Sequence, residues 1–189
     1  MIDKELGVRH RGPRGRWGAI AALIGIIALW GARDYEHRRA VNALEARTYE
    51  GASPVRVSAY PYWWSPFHWS GVVEAQNFLA VMVVDSLTPE VDPDGQMQVF
   101  YKPEETPVTL AAKSSYLGQV YLDWAQYPLT ETEQAQEGYV VRFRDLRFVY
   151  PGSKGRSVLS SSVELDRNLN VIAEDVGRRS QRIPSGSAR

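Results

Sequence analysis

Few side chains in this 189-residue sequence are of the kinds that do chemistry at neutral pH. The three histidines, His10, His37 and His68, fall in three different parts of the chain, so their spacing builds no local metal-binding cluster. His37 follows Glu36 in a charged helical pattern and is expected to be solvated. His68 sits between Phe67 and Trp69, where a packing or capping role is expected rather than a ligand role. There is no cysteine, which excludes disulfides and thiolate metal sites. Four carboxylates, Glu74, Asp85, Asp123 and Glu164, are candidates for an acid–base pair, although an exposed strand or helix position is the default for each. Asp92-x-Asp94-Gly95 starts like a calcium loop but lacks the later oxygens and the glutamate at the twelfth position, so it reads as a turn. No phosphate-binding glycine loop, dinucleotide fingerprint, nucleophile elbow or His-Glu-x-x-His motif is present. The residues therefore assign no catalytic group, no metal ligand and no cofactor.

Two stretches offer surfaces instead of reactive groups. Tyr60 to Trp69 (YPYWWSPFHW) is punctuated by Pro61 and Pro66, so it cannot be a central strand and reads as an aromatic corner. Tyr62, Trp63, Trp64, Phe67 and Trp69 are its candidate ligand-binding or interface residues, for an apolar ligand or the membrane surface, with packing into the core as the alternative. Arg142, Arg144 and Arg147 form a basic stretch beside Phe143 and Phe148. Arg142 and Arg144 share one strand face, which is either a solvated face or a site for phosphate or a lipid headgroup. Lys and Arg number 22 and Asp and Glu 22, so the chain lacks the basic excess of a nucleic-acid-binding domain.

The element that must place these residues is the apolar run Trp17 to Ala32 (WGAIAALIGIIALWGA), which carries no charge. As a helix it spans roughly 24 Å, somewhat less than the usual ~30 Å hydrocarbon core. Trp17 and Trp30 at the interfaces, with Arg16 and Arg33 snorkelling, cover the difference. Residues 1–16 form a basic leader in which Gly12, Pro13 and Gly15 argue against a stable helix. A basic segment before an apolar one also describes a signal peptide, but cleavage after Ala32 would put bulky Trp30 where a small residue is needed. A buried helix of a soluble protein is the remaining alternative. Lys4, Arg9, Arg11, Arg14 and Arg16 precede the run, and Arg33, Arg38, Arg39 and Arg47 follow it. This small bias places the N-terminus inside and the domain on the periplasmic side of a bacterial inner membrane.

Residues 33–50 form a juxtamembrane helix and linker, with Ala40, Val41 and Leu44 on one helical face. Gly51, Ser53 and Pro54 break the helix, and an extramembrane domain over 51–176 is expected to begin there. Val55, Val57 and Ala59 alternate as a strand, and residues 72–75 and 78–85 form a hairpin turning at Gln76-Asn77. Met97–Tyr101 is a short strand. Thr106-Pro107 starts a short helix to about Ser115, and Leu117, Val120, Tyr121 and Trp124 mark a second helix. Residues 130–137 (TETEQAQE) read as a polar loop, and Tyr139–Tyr150 as a strand bent or bulged near Asp145. A closing hairpin follows, turned through Asp166-Arg167-Asn168, and residues 177–189 are an Arg- and Ser-rich disordered tail. The fold class is α+β: a single transmembrane helix, then a largely antiparallel sheet with two helices packed on one face.

Several of these segments resemble a pattern in bacterial inner-membrane metal-dependent hydrolases. They are Ala59-Tyr60-Pro61, Ser65-Pro66-Phe67-His68-Trp69, Val72-Val73-Glu74, Lys102-Pro103-Glu104, Ala111-Ala112-Lys113-Ser114 and Tyr121 to Pro128 (YLDWAQYP). The likeness covers roughly residues 30–176 and is to the C-terminal extramembrane domain of longer members. In that family the histidine motifs thought to bind metal lie in an N-terminal bundle of membrane helices, and no position here matches them. A split partner, a short gene product or a truncated reading frame would account for the difference. The resemblance thus implies a membrane-anchored module, non-catalytic alone, whose partners are the lipid bilayer and a multi-helix membrane hydrolase, or which binds a ligand through the aromatic corner. The alternative is a hydrolase that uses Glu74 or Asp123 of the domain itself.

Overall fold

The computed structural model describes residues 13–62, 64–153, 157 and 159–177. Residues 1–12 of the leader, Trp63 and the tail from residue 178 lie outside the described residues.

One helix, α1, runs without interruption from Pro13 to Glu45. Its 33 residues extend about 50 Å. It starts inside the segment expected to be non-helical, because proline at a first helical position loses no hydrogen bond it would otherwise make. The apolar run and the juxtamembrane segment are thus one rod with two different environments. From Trp17 to Trp30 its large apolar side chains are bare on every side. The helix is long and apolar enough to cross a membrane. Beyond Arg33 the rod docks: Ala40 and Leu44 are fully buried, and Tyr49 follows them into the same core.

That core belongs to a first antiparallel sheet of β1 (Arg56–Pro61), β2 (His68–Glu74), β3 (Phe78–Asp85), β4 (Glu90–Val91) and β5 (Gln98–Tyr101). β2 is central to β1 and β3, while β4 and β5 both pair with the other edge of β3. Ala59, Trp69, Val73, Ala80, Met82 and Val84 face α1. Val72, Leu79 and Val81 face the opposite way, toward Tyr127, Leu129, Leu146 and Val149. Burial on both faces explains why β3 reads FLAVMVV, a continuous apolar run instead of an alternation. At Gly71 the helix comes so close that an added Cβ would lie 3.0 Å from a methyl of Leu44.

A second antiparallel sheet follows in plain meander order, β6 (Pro128–Ala135), β7 (Gly138–Asp145), β8 (Ser160–Asp166) and β9 (Val171–Val176). Helices α2 (Pro107–Ser114) and α3 (Tyr116–Trp124) cover one of its faces, with Ala112 and Tyr121 packed on Val141, Phe143, Val163 and Leu165. Thr106 caps α2 in a reciprocal box with Thr109, and Pro107 stands in the first turn as expected. Ser115 closes α2 and caps α3, accepting from the Gly118 N–H, while Glu174 of β9 accepts from Leu117. The α+β architecture therefore holds, with the strands divided between two sheets.

Three local expectations need correction. Residues 60–69, expected to stay out of a central strand, give Tyr60 and Pro61 to β1 and His68 and Trp69 to β2, which is paired on both edges. The prolines fall at the end of edge strand β1 and in the loop. Residues 130–135, expected as loop, belong to edge strand β6 and pair along their length with β7. The strand carries little apolar residue because Glu131 and Glu133 meet Arg144 and Arg142 across it. The strand expected to reach Tyr150 ends at Asp145, whose side chain accepts from the Arg147 N–H and starts a single 3-10 turn, Leu146–Phe148.

Candidate functional site

The residues with chemical potential are dispersed by this fold. Glu74 and Asp85 stand at opposite ends of the β2–β3 ladder, opposite Leu79 and His68 respectively. Asp123 lies on α3, on the helical side of the second sheet. Glu164 alternates with the helix-facing Val163 and Leu165, so it lies on the other side. Glu74 is held between Arg56 at 2.9 Å and Lys102 at 2.8 Å. Burial pushes its pKa up, but the two cations outweigh that and hold it below the ordinary glutamate range. It is therefore a persistent anion and not a proton donor near neutrality. Asp92 turns the chain with φ of 58°, its side chain accepting from Gln96 at 2.7 Å. Among the described residues no group of three or more potential ligands converges on a metal-sized site.

The basic stretch is occupied by carboxylates. Arg142 pairs with Glu133 at 2.9 Å, Arg144 pairs with Glu131, and Arg147 pairs with the fully buried Asp145 at 2.7 Å. Arg147 also lies over the stacked rings of Trp124 and Phe148. Nearby, Asp145 accepts from the Gln126 N–H, Tyr60 donates to the Gln126 side chain at 2.8 Å, and Ser58 meets Tyr127 at 2.7 Å. Arg56 covers the Tyr127 ring at 4.1 Å. Burial raises the Tyr60 and Tyr127 phenols, which remain neutral hydrogen-bonding groups. This polar seam fastens β1 of the first sheet to the connection entering the second.

Among the aromatic-corner residues, the structure separates core from surface. Trp69 is 2% exposed, donates its indole N–H to Ser86 at 3.1 Å, and packs against His37 with ring centroids 5.1 Å apart. It is core and does not contribute to a surface. His37 is correspondingly not the solvated residue expected: its Nε2 lies 3.1 Å from the Ala59 carbonyl oxygen, half-buried between α1 and the sheet. His68 does cap and pack, with Nδ1 2.8 Å from Ser65 Oγ and its ring beside Trp64. Tyr62 is half-buried, edge-on to Trp64 and tilted against Tyr150. Trp64 and Phe67 remain on the outside.

Arg33 joins the corner to α1. It reaches the Pro66 carbonyl at 3.4 Å and covers the Trp69 ring at 4.9 Å. Leu87, in the turn after β3, is exposed at the same end of the sheet. Its carbonyl accepts from Arg39, and the neighbouring Ser86 donates to the Phe67 carbonyl. Neither Leu87 nor Arg33 stands out in the sequence as part of this surface, since their proximity comes from helix–sheet docking and the β2–β3 register. The pairing of Pro61 with Trp69 and of His68 with Asp85 was the only signal that could have joined the two loops.

Residues 107–183 match the family model of the YfhP C-terminal alpha/beta plait domain. The match begins at α2 and takes in the whole second sheet, whose two helices on one face of an antiparallel sheet suit that description. No curated protein and no solved structure matches the chain. What the comparison supports is the domain type over residues 107–183, and it carries no activity with it.

Proposed function

We propose that this chain is a single-pass module of the bacterial inner membrane that holds an α+β domain against the periplasmic face and serves a multi-helix membrane hydrolase as a non-catalytic partner. The observation that carries the reading is α1, whose bare apolar half passes without a break into a half buried in the first sheet. A soluble protein would have to leave that apolar surface in water, at a cost of about 25 cal/mol for each Å². The resemblance of residues 30–176 to the extramembrane part of membrane hydrolases motivates the partner role, and the match over residues 107–183 bears on the domain type alone. The dispersal of the carboxylates argues against chemistry carried by this chain alone.

Full-length protein in bacterial membranes should resist carbonate extraction, and its domain should become protease-sensitive in spheroplasts but not in intact cells. Purification in mild detergent should recover a multi-helix protein with paired-histidine motifs in fixed ratio. Release by carbonate would remove the anchor reading. Stoichiometric, tightly held zinc or manganese in the isolated chain would remove the non-catalytic one.

A further inference from the structure

We infer that the end of the first sheet nearest the anchor, formed by Trp64 and Phe67 of the β1–β2 loop and Leu87 of the β3–β4 turn, is a lipid-contact site that sits in the interfacial layer of the bilayer. The inference rests on α1 spanning the membrane and deepens that reading, because it fixes how the domain meets the surface.

The geometry follows from the rod. Trp30, 75% exposed, is the last large side chain of the apolar run and precedes Arg33 by about 4.5 Å along the axis. Helical side chains lean toward the N-terminus, so the Arg33 guanidinium lies over the turn that faces the membrane. It is there that Arg33 meets Pro66 and Trp69. Farther along α1, His37 meets Ala59, and Leu44 meets Gly71. β2 therefore runs with its first residue toward the bilayer and Glu74 away from it. The two loops at its near end carry Trp64 at 58%, Phe67 at 39% and Leu87 at 56% exposure.

The far end carries the Gln76-Asn77 turn, the Glu74–Lys102 and Glu74–Arg56 pairs, and Glu50 holding the Tyr101 hydroxyl. Trp64, Phe67 and Leu87 are thus turned toward the membrane, while the far end sets the exposed Val55 and Tyr101 among its ion pairs. Of the charges at the near end, Arg38 pairs with Asp34, Arg39 pairs with Glu36 and Asp85 accepts from the Leu87 N–H, while Glu90 opposite Asp85 is exposed. Tryptophan and tyrosine favour the headgroup layer, where an apolar ring and a polar edge are both satisfied, and Trp64 beside Tyr62 supplies that chemistry.

The chain has no cysteine, so a single one can be introduced and labelled with an environment-sensitive fluorophore. Full-length Trp64→Cys, Phe67→Cys, Ile24→Cys and Tyr116→Cys proteins would be reconstituted in phosphatidylethanolamine–phosphatidylglycerol vesicles carrying either headgroup or mid-chain quenchers. The label at 24 should lose most of its emission to the mid-chain quencher. Labels at 64 and 67 should lose most of theirs to the headgroup quencher, and the label at 116 on α3 should lose little to either. Labels at 64 and 67 that behave like 116, while 24 is deeply quenched, would overturn the lipid contact and leave the anchor standing. An unquenched label at 24 would overturn the anchor and the contact with it. Should labelling disturb folding, hydroxyl-radical footprinting of the unmodified chain in the same vesicles is the second measurement. Trp64, Phe67 and Leu87 should be shielded while Tyr116 and Val55 oxidise, and equal oxidation of all five would overturn the contact.

Discussion

Leu44 packs against Gly71 where α1 docks on the first sheet, and their coupling is measurable. Leu44 is fully buried, and its two methyls would stand 3.0 and 3.1 Å from a Cβ at Gly71, with Val84 at 3.1 Å. Leu44→Ala removes three carbons, worth about 2.4 kcal/mol at about 0.8 per methylene. A cavity penalty adds to this, and the neighbours can collapse little, since Gly71 has no side chain and Val84 stands on a strand paired on both edges. The expected loss is roughly 3–5 kcal/mol. Gly71→Ala alone overfills the same space and should cost about 1–3 kcal/mol. In the double variant the new methyl enters the volume that Leu44 leaves. The combined loss should then fall short of the sum by about 1 kcal/mol or more. Denaturant unfolding of the full chain in detergent micelles, followed by near-ultraviolet circular dichroism of the His37–Trp69 region, gives all four corners of the cycle. Additivity within about 0.5 kcal/mol would mean that the helix does not seat on Gly71 and would refute the docked rod.

Three further outcomes follow from other parts of the molecule. Asp145→Ala strands the Arg147 guanidinium and the Gln126 and Arg147 N–H groups, and should cost about 3–5 kcal/mol in the same unfolding assay. Thr106→Ala removes the cap of α2 and should cost about 1 kcal/mol, read as a lowered denaturation midpoint with an unchanged slope. The pKa of Glu74 is lower folded than unfolded, so its contribution is complete above the ordinary glutamate range and is lost as pH falls through the folded value. The stability gap between the parent and Glu74→Gln should therefore narrow as pH falls below the ordinary glutamate range, and a constant gap in pH-dependent unfolding would contradict the ion-pair account.

The elements were readable where one physical signal dominated. Trp17–Ala32 is uniformly apolar, Thr106-Pro107 is a cap followed by a preformed φ, and Gln76-Asn77 separates two apolar runs. β6 escaped because an edge strand need not be apolar. Its evidence is the Thr-Glu-Thr-Glu alternation, which means little until Arg142 and Arg144 are known to lie opposite. His37 escaped for a related reason: a charged helix face looks solvated unless the sheet that covers it is known. At the aromatic corner, composition marked the whole stretch, but only the register of β1, β2 and β3 separates buried Trp69 from exposed Trp64 and Phe67. Leu87 is separated from that stretch by the whole of β3, so no local pattern could have joined it to them.

The unbroken course of α1 has a consequence for assembly. With no hinge between Trp30 and Ala40, the azimuth of the apolar half of α1 is locked to the azimuth of the sheet. One residue inserted between Trp30 and Arg33 would swing the bare apolar faces by about 100° relative to the domain, whereas seven would restore the phase to within about 20° and lengthen the rod by about 10 Å. Any helix that packs beside the apolar half of α1 therefore approaches the domain from one fixed compass bearing. The rod thus transmits angular orientation from its apolar half to the domain, something a flexible tether of equal length would lose.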